Sequence, residues 1–396
     1  MNTDIIELNK NVVYVNGAKH GALYDFNTGK VFSINSDACY LLDKYINNKG
    51  FNHPYLDILH KKELLNNDFN IHKFKPKILD PILEFVWLEI TQACNLKCIH
   101  CYEGKMHSKI KNELSFGEWK SIILQLKKLN CKAIEFIGGE PTQHIDFFKL
   151  LDFSVSIGHK VHIYTNLTLF NNRLLDYIKD NNIIIHFSLY GTSPQIHDFI
   201  TKVNGSFNKT IYWIEKLIQN NVKLIPSVIG MKYNQDNILN IDSFLKKIGI
   251  NDFRGFDVVR NSSCMDVSNI LPNKSICEKV FIKNPNFSIN KERFIKSYSV
   301  NTCFFGKFSI LPNGDITPCE FERDLKYGNL KSNTVEEILK SEKLKEYWYL
   351  DFSKIEECKY CEFRFACKDC RPLSGKKSTS KNPRCKYNPL DGIWEE

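Results

Sequence analysis

Phe85-Val86-Trp87-Leu88-Glu89-Ile90-Thr91-Gln92-Ala93-Cys94-Asn95-Leu96-Lys97-Cys98-Ile99-His100-Cys101 runs from an apolar segment of strand length straight into three closely spaced cysteines. A short run of apolar and aromatic residues that ends at a threonine reads as a buried β-strand. Further apolar segments follow at 133–137, 160–164, 183–189, 222–229 and 253–259, and amphipathic stretches separate them, clearest at 115–129, 207–221 and 236–248. Ser115 and Glu118 have the spacing of a capping box. Strand and helix patterns that alternate in this way predict a parallel sheet with helical crossovers. Six such units fit the α/β class and a partial (β/α)6 barrel, expected over 81–295.

On the N-terminal side, residues 1–80 read as a small α+β domain, with strands at 11–15, 21–25 and 31–34 before a helix at 36–45. Asp80-Pro81 is the expected boundary. On the C-terminal side, 296–396 reads as a loop-rich, cysteine-dense domain: Cys303, Gly314 and Cys319 precede Cys358-x2-Cys361-x5-Cys367-x2-Cys370, and Cys385 follows. Such a segment needs metal to fold.

The chain of 396 residues has 14 cysteines, too many for catalytic thiols alone. Residues 1–7 show neither a basic leader nor an apolar core, and no apolar run approaches the roughly 20 residues of a membrane helix. A cytoplasmic protein without a membrane partner is therefore expected, and a reducing compartment favours metal ligation over disulfides. The net charge of +9, from 54 Lys and Arg against 45 Asp and Glu, is spread along the chain and requires no nucleic acid. It suits an acidic partner such as a carboxylate-rich peptide.

Three thiolates at Cys94, Cys98 and Cys101 can hold three irons of a cubane 4Fe–4S cluster and leave the fourth free to chelate a small molecule. A zinc site short of one cysteine is the alternative there, as paired zinc ribbons are for the C-terminal knuckles. Cys39, Cys131, Cys264 and Cys277 lack ligand spacing and are expected to be small buried apolar residues.

The C-x3-C-x2-C pattern after the first strand resembles the motif of the radical S-adenosylmethionine (SAM) superfamily. The resemblance implies that the cofactor's amino and carboxylate groups bind the open iron. Gly138-Gly139-Glu140-Pro141, at the end of the second strand, is similar to the family's glycine-rich cofactor motif. Thr165-Asn166 and Ser188, at the next two strand ends, match positions that contact the methionine or ribose part. The run from Phe187 to Gly191, then His197-Asp198 and Gly205-Ser206-Phe207, looks like the fourth-strand region of peptide-modifying members. His100 departs from the commoner aromatic residue, and Tyr190 from an Asp.

The C-terminal cysteines are similar to the seven-cysteine SPASM pattern, with C-x2-C where C-x3-C is usual. Family connectivity implies one auxiliary cluster on Cys358, Cys361, Cys367 and Cys385, and a second on Cys303, Cys319 and Cys370. Both are expected to be 4Fe–4S. The resemblance further implies a 5′-deoxyadenosyl radical, an electron donor such as flavodoxin or ferredoxin, and a precursor peptide as substrate. That points to a maturase that installs a crosslink, thioether or related modification. Residues 15–26 are loosely similar to the start of maturases encoded with ATP-grasp partners, which makes 1–80 a candidate leader-recognition domain. Glu320 follows Cys319 where sulfatase-type maturases carry an Asp base, and is the candidate catalytic residue. The alternatives are formylglycine formation by a sulfatase-type maturase and a noncatalytic iron–sulfur electron carrier.

Overall fold

Residues 12–15 and 21–25 are strand segments buried on both faces. In a computed structural model of the chain, Ile5–Asn9 (β1), Val12–Asn16 (β2), Gly21–Asp25 (β3) and Lys30–Ile34 (β4) pair antiparallel in sequence order. The structure describes residues 5–48, 50–66, 71–76, 79–104, 112–262, 264–282, 287–374 and 379–395. Residues 1–4, part of the stretch read for a leader, lie outside these. β1 was not among the strands expected from the sequence.

Asn35 caps the helix Ser36–Asn47 (α1), its side chain accepting from the Ala38 amide at 2.9 Å, and Pro54–Lys61 (α2) follows. His72–Lys73 (β5) adds beside β1, giving the order β4-β3-β2-β1-β5. One face of the sheet, with Val12, Tyr14 and Leu23, packs on Leu42, Tyr45, Leu56 and Leu59 of α1 and α2. The residues between them on the same strands, Val13, Val15, Ala22 and Tyr24, point to the other face, as a period of two requires. They meet Phe294, Phe363, Phe365 and Tyr387. Tyr24 and Phe294 make an edge contact at 4.9 Å, and the Tyr24 hydroxyl donates to the Glu362 carbonyl at 2.7 Å. This compact unit is thus assembled from Met1–Asp80, Phe281–Phe305 and Glu346–Glu396.

The other unit comprises Pro81–Val280 and Gly306–Lys345. Its strands Phe85–Glu89 (β6), Ala133–Ile137 (β7), Val161–Thr165 (β8), Ile184–Ser188 (β9) and Leu224–Ser227 (β10) are parallel. Ile229–Gly230 (β11) then pairs with Asp257–Val258 (β12), also parallel. The connections carry Phe116–Lys128 (α3), Phe147–Ser156 (α4), Asn172–Asp180 (α5), Pro194–Thr201 (α6), Ser206–Gln219 (α7) and Ile241–Lys247 (α8). The capping box forms: the Ser115 amide donates to Glu118 at 2.7 Å and the Glu118 amide to the Ser115 hydroxyl at 3.3 Å. Strand ends match the sequence expectation within a few residues up to β9. Beyond it, 222–229 is split into β10 and β11, and only two residues of 253–259 pair.

A larger difference lies past Asn301, where the sequence reads as loop. Lys307–Ile310 (β13) pairs parallel with β6, and Asp315–Thr317 (β14) and Gly328–Asn329 (β15) continue the sheet antiparallel. Strands of two to four residues carry too little alternation to be read. Among the described residues no helix is long and apolar enough to cross a membrane.

Candidate active site

Parallel strands bring their C-terminal ends to one rim, and the cavity of about 560 Å³ associated with them is lined by Cys94, Cys98 and Cys101. These cysteines sit on the loop after β6, which is pinned from two sides. The Lys97 and Ile99 amides donate to the Thr201 and Ile200 carbonyls of α6 at 2.9 and 3.0 Å. From the end of β8, the Asn166 side chain donates to Asn95 at 3.0 Å, and Asn95 in turn donates to Thr168 at 2.6 Å.

Gly138 and Gly139 line the same cavity. A Cβ at 138 would come within 2.4 Å of the Thr91 carbonyl oxygen, and one at 139 within 2.5 Å of those of Gln92 and Ala93. Only glycine lets the end of β7 lie flush on the cysteine loop. Glu140 is fully buried and accepts from Thr142, from Thr165 Oγ1 at 2.8 Å and from the Asn166 amide at 2.8 Å. Its carboxylate therefore ties the end of β7 to that of β8. Asn166 and Ser188 line the cavity, and the Ser188 hydroxyl donates to Tyr164 at 3.3 Å.

Burial pushes the Cys94 thiol up to about 12 and the Cys101 thiol up to about 11, and it raises Cys98 well above the ordinary range, with the neighbouring thiols adding to the effect on Cys94 and Cys98. Thiols in this state keep their protons unless a cation displaces them. Three of them on one cavity, over a floor that admits no Cβ, fit a 4Fe–4S cluster with one open iron. His100 and Tyr190, the two departures noted above, are partners: their rings meet edge-on at 4.5 Å. Burial lowers His100 to about 4, with His197 adding to it, so it is a neutral ring at physiological pH.

Glu320 also lines the cavity, and among the described residues its Oε2 is buried without a hydrogen-bond partner. Burial raises its pKa. The obvious structural partner, Arg323, is engaged elsewhere: it forks onto Glu89 at 2.6 and 2.9 Å, and its Nη1 lies 3.0 Å from Glu103. One guanidinium thus faces two buried carboxyls. Burial and the Glu89 charge push Glu103 up to about 10. This triad spans 234 positions and went unread in the sequence.

The structure brings four auxiliary cysteines together within the first unit. After burial, the largest influence on Cys358 and Cys367 is Cys385, and Cys361 responds to Cys367 and Cys358. Cys303 and Cys370 belong to the same unit, and Cys319 follows β14 in the other. Of the remaining cysteines, Cys39 and Cys131 are buried as expected, whereas Cys277 is half-buried and Cys264 exposed. Cys264 sits in a loop beyond β12, outside the alternating elements that form the core.

The model of the radical SAM superfamily matches residues 88–245, and that of the SPASM iron–sulfur cluster-binding domain matches 303–362. The chain is a radical SAM protein with a SPASM domain. Its cofactors are accordingly S-adenosylmethionine and iron–sulfur clusters. The AdoMet-dependent heme synthase of Oleidesulfovibrio alaskensis is 22% identical over 78% of this chain and 88% of its own. The antilisterial bacteriocin subtilosin biosynthesis protein AlbA of Bacillus subtilis is 25% identical over 74% of this chain and 69% of its own. In fold, this radical SAM protein is similar to Streptococcus suis SuiB bound to its precursor peptide SuiA, at a TM-score of 0.58 and 14% identity, over 96% of this chain and all of that one.

Proposed function

We propose that the protein is a maturase that modifies a ribosomally made peptide. Cys94, Cys98 and Cys101 hold the radical cluster, and Cys358, Cys361, Cys367 and Cys385 an auxiliary cluster. When bound, cluster and S-adenosylmethionine together supply the radical that abstracts a hydrogen atom from the substrate. Gly138 and Gly139 seat the end of β7 against the cysteine loop, while Asn166 and Ser188 offer the cofactor polar contacts on the cavity wall.

The observation that carries the peptide reading is the edge of the N-terminal sheet. β4 is paired in full to β3, but among the described residues its other side has only the single bridge Lys30↔Ser288. Phe32 stands 40% exposed on it. An open edge with an apolar anchor is what an extended leader needs in order to add a strand. The likeness to SuiB supports this reading, because cover of 96% has to include most of residues 1–80. In Phe32→Asp the protein should keep its iron and its cofactor cleavage, while affinity for the precursor encoded beside the gene falls roughly tenfold. Calorimetry with the full precursor checks this, and unchanged affinity sinks the leader role. The likeness to a heme synthase supplies the competing reading, and turnover of a porphyrin with no peptide turnover would favour it.

Glu320 is the proposed base. Oxidative bond formation releases a proton from the substrate, and a buried carboxylate on the cavity wall whose Oε2 has no hydrogen-bond partner among the described residues can accept it. Glu320→Gln, with iron content unchanged, should go on releasing 5′-deoxyadenosine while modified peptide drops about a hundredfold or more. Normal product formation removes Glu320 from the chemistry.

A further inference from the structure

Three consecutive parallel strands each carry one acidic or imidazole side chain: Glu135 on β7, His162 on β8 and His186 on β9. Glu135 and His162 are direct neighbours in the ladder, and His186 pairs with Tyr164, two residues further along β8. The three donor atoms lie within 4.8 Å of one another. His162 Nδ1 is 3.1 Å from His186 Nε2, and Glu135 Oε1 is 3.5 Å from the same nitrogen.

We propose that Glu135, His162 and His186 form a binding site for one divalent first-row metal ion of the zinc type, distinct from the iron–sulfur clusters. Ligands held at 2.0–2.1 Å around a tetrahedral ion are separated by about 3.3 Å, and the two measured separations bracket that value. A pair of imidazoles and one carboxylate is a donor set that zinc and ferrous iron both accept. A second observation points the same way. Glu135 is 3% exposed, yet its Oε1 has no hydrogen-bond partner among the described residues. A buried carboxylate oxygen left in that state is costly unless something fills the gap. Burial lowers both histidines to about 4, so each ring carries the free lone pair that coordination requires.

Glu135 and His186 line the cavity, so an open coordination position is reachable from it. It lies two strand residues, about 7 Å, beneath the layer of Ile137, Tyr164 and Ser188. An ion there would take an anionic substrate group, a carboxylate or thiolate, as its fourth ligand and anchor the substrate under the cofactor.

The test uses the anaerobically reconstituted holoenzyme and zinc alone. After loading with zinc and desalting, the expected result is about one equivalent per chain, with a zinc-edge absorption spectrum fitted by nitrogen and oxygen at about 2.0–2.1 Å and no sulfur shell near 2.3 Å. His186→Gln and Glu135→Gln should each retain roughly a tenth of that zinc or less, at unchanged iron content. Sulfur ligation, no retained zinc in the wild type, or the same nitrogen–oxygen spectrum in His186→Gln would each overturn the proposal. The wild-type spectrum decides even where a variant fails to fold.

Discussion

Replacing Cys94, Cys98 and Cys101 together with Ala is expected to abolish release of 5′-deoxyadenosine under strong reductant and to remove about four iron atoms per chain, leaving the auxiliary iron in place. The three thiols share one cavity, and the loop that carries them is fastened to α6 and to the end of β8. Cys358, Cys361, Cys367 and Cys385 belong to the other unit and are untouched by the substitutions. Iron analysis and chromatography of the cleaved cofactor check both halves of the expectation. Residual cleavage above background would move the radical cluster elsewhere, and stoichiometric zinc with almost no iron would remove the clusters altogether.

The second large effect is on stability. Arg323→Met should cost about 3–5 kcal/mol, because it strands Glu89 and Glu103, at 0% and 5% exposure, without their shared cation. The carboxyls should not respond alike. Glu103 already holds its proton, pushed up to about 10 by burial and by Glu89, so Glu103→Gln replaces one neutral group with another and should cost under about 1 kcal/mol. Glu89→Gln breaks the forked pair and should resemble Arg323→Met. Denaturant midpoints of the four holoproteins check the order, and equal losses at Glu89 and Glu103 would overturn it.

What could be read from the sequence was what lies close together in it. Cysteine ligands repeat at spacings of two to five, and Gly138-Gly139-Glu140 abuts its strand, so both could be found by scanning. The parallel strands up to β9 are apolar runs of five residues, long enough to register. The pair Glu89–Arg323 spans 234 positions and leaves no local trace. Each of Glu135, His162 and His186 taken alone is one polar residue in a largely apolar strand, and a lone histidine there reads as core. The available signal was joint: three consecutive strands each carry one acidic or imidazole side chain. The hairpin of β13 and β14 escaped for the opposite reason, since its strands end before alternation can be counted.

The divided origin of the N-terminal sheet has a consequence for synthesis. Val13, Val15 and Tyr24 wait for Phe294, Phe363, Phe365 and Tyr387, and the hydrogen bond from Tyr24 to Glu362 closes across 338 positions. At ribosomal speeds of about 5–20 residues per second, that interval is roughly 15–70 seconds. Throughout it, one face of the newborn sheet stays wet while α1 and α2 can already cover the other. Val13, Val15 and Tyr24 are therefore made early and packed late, and the apolar surface they form depends for protection on chaperones or on the arrival of residues 294–387.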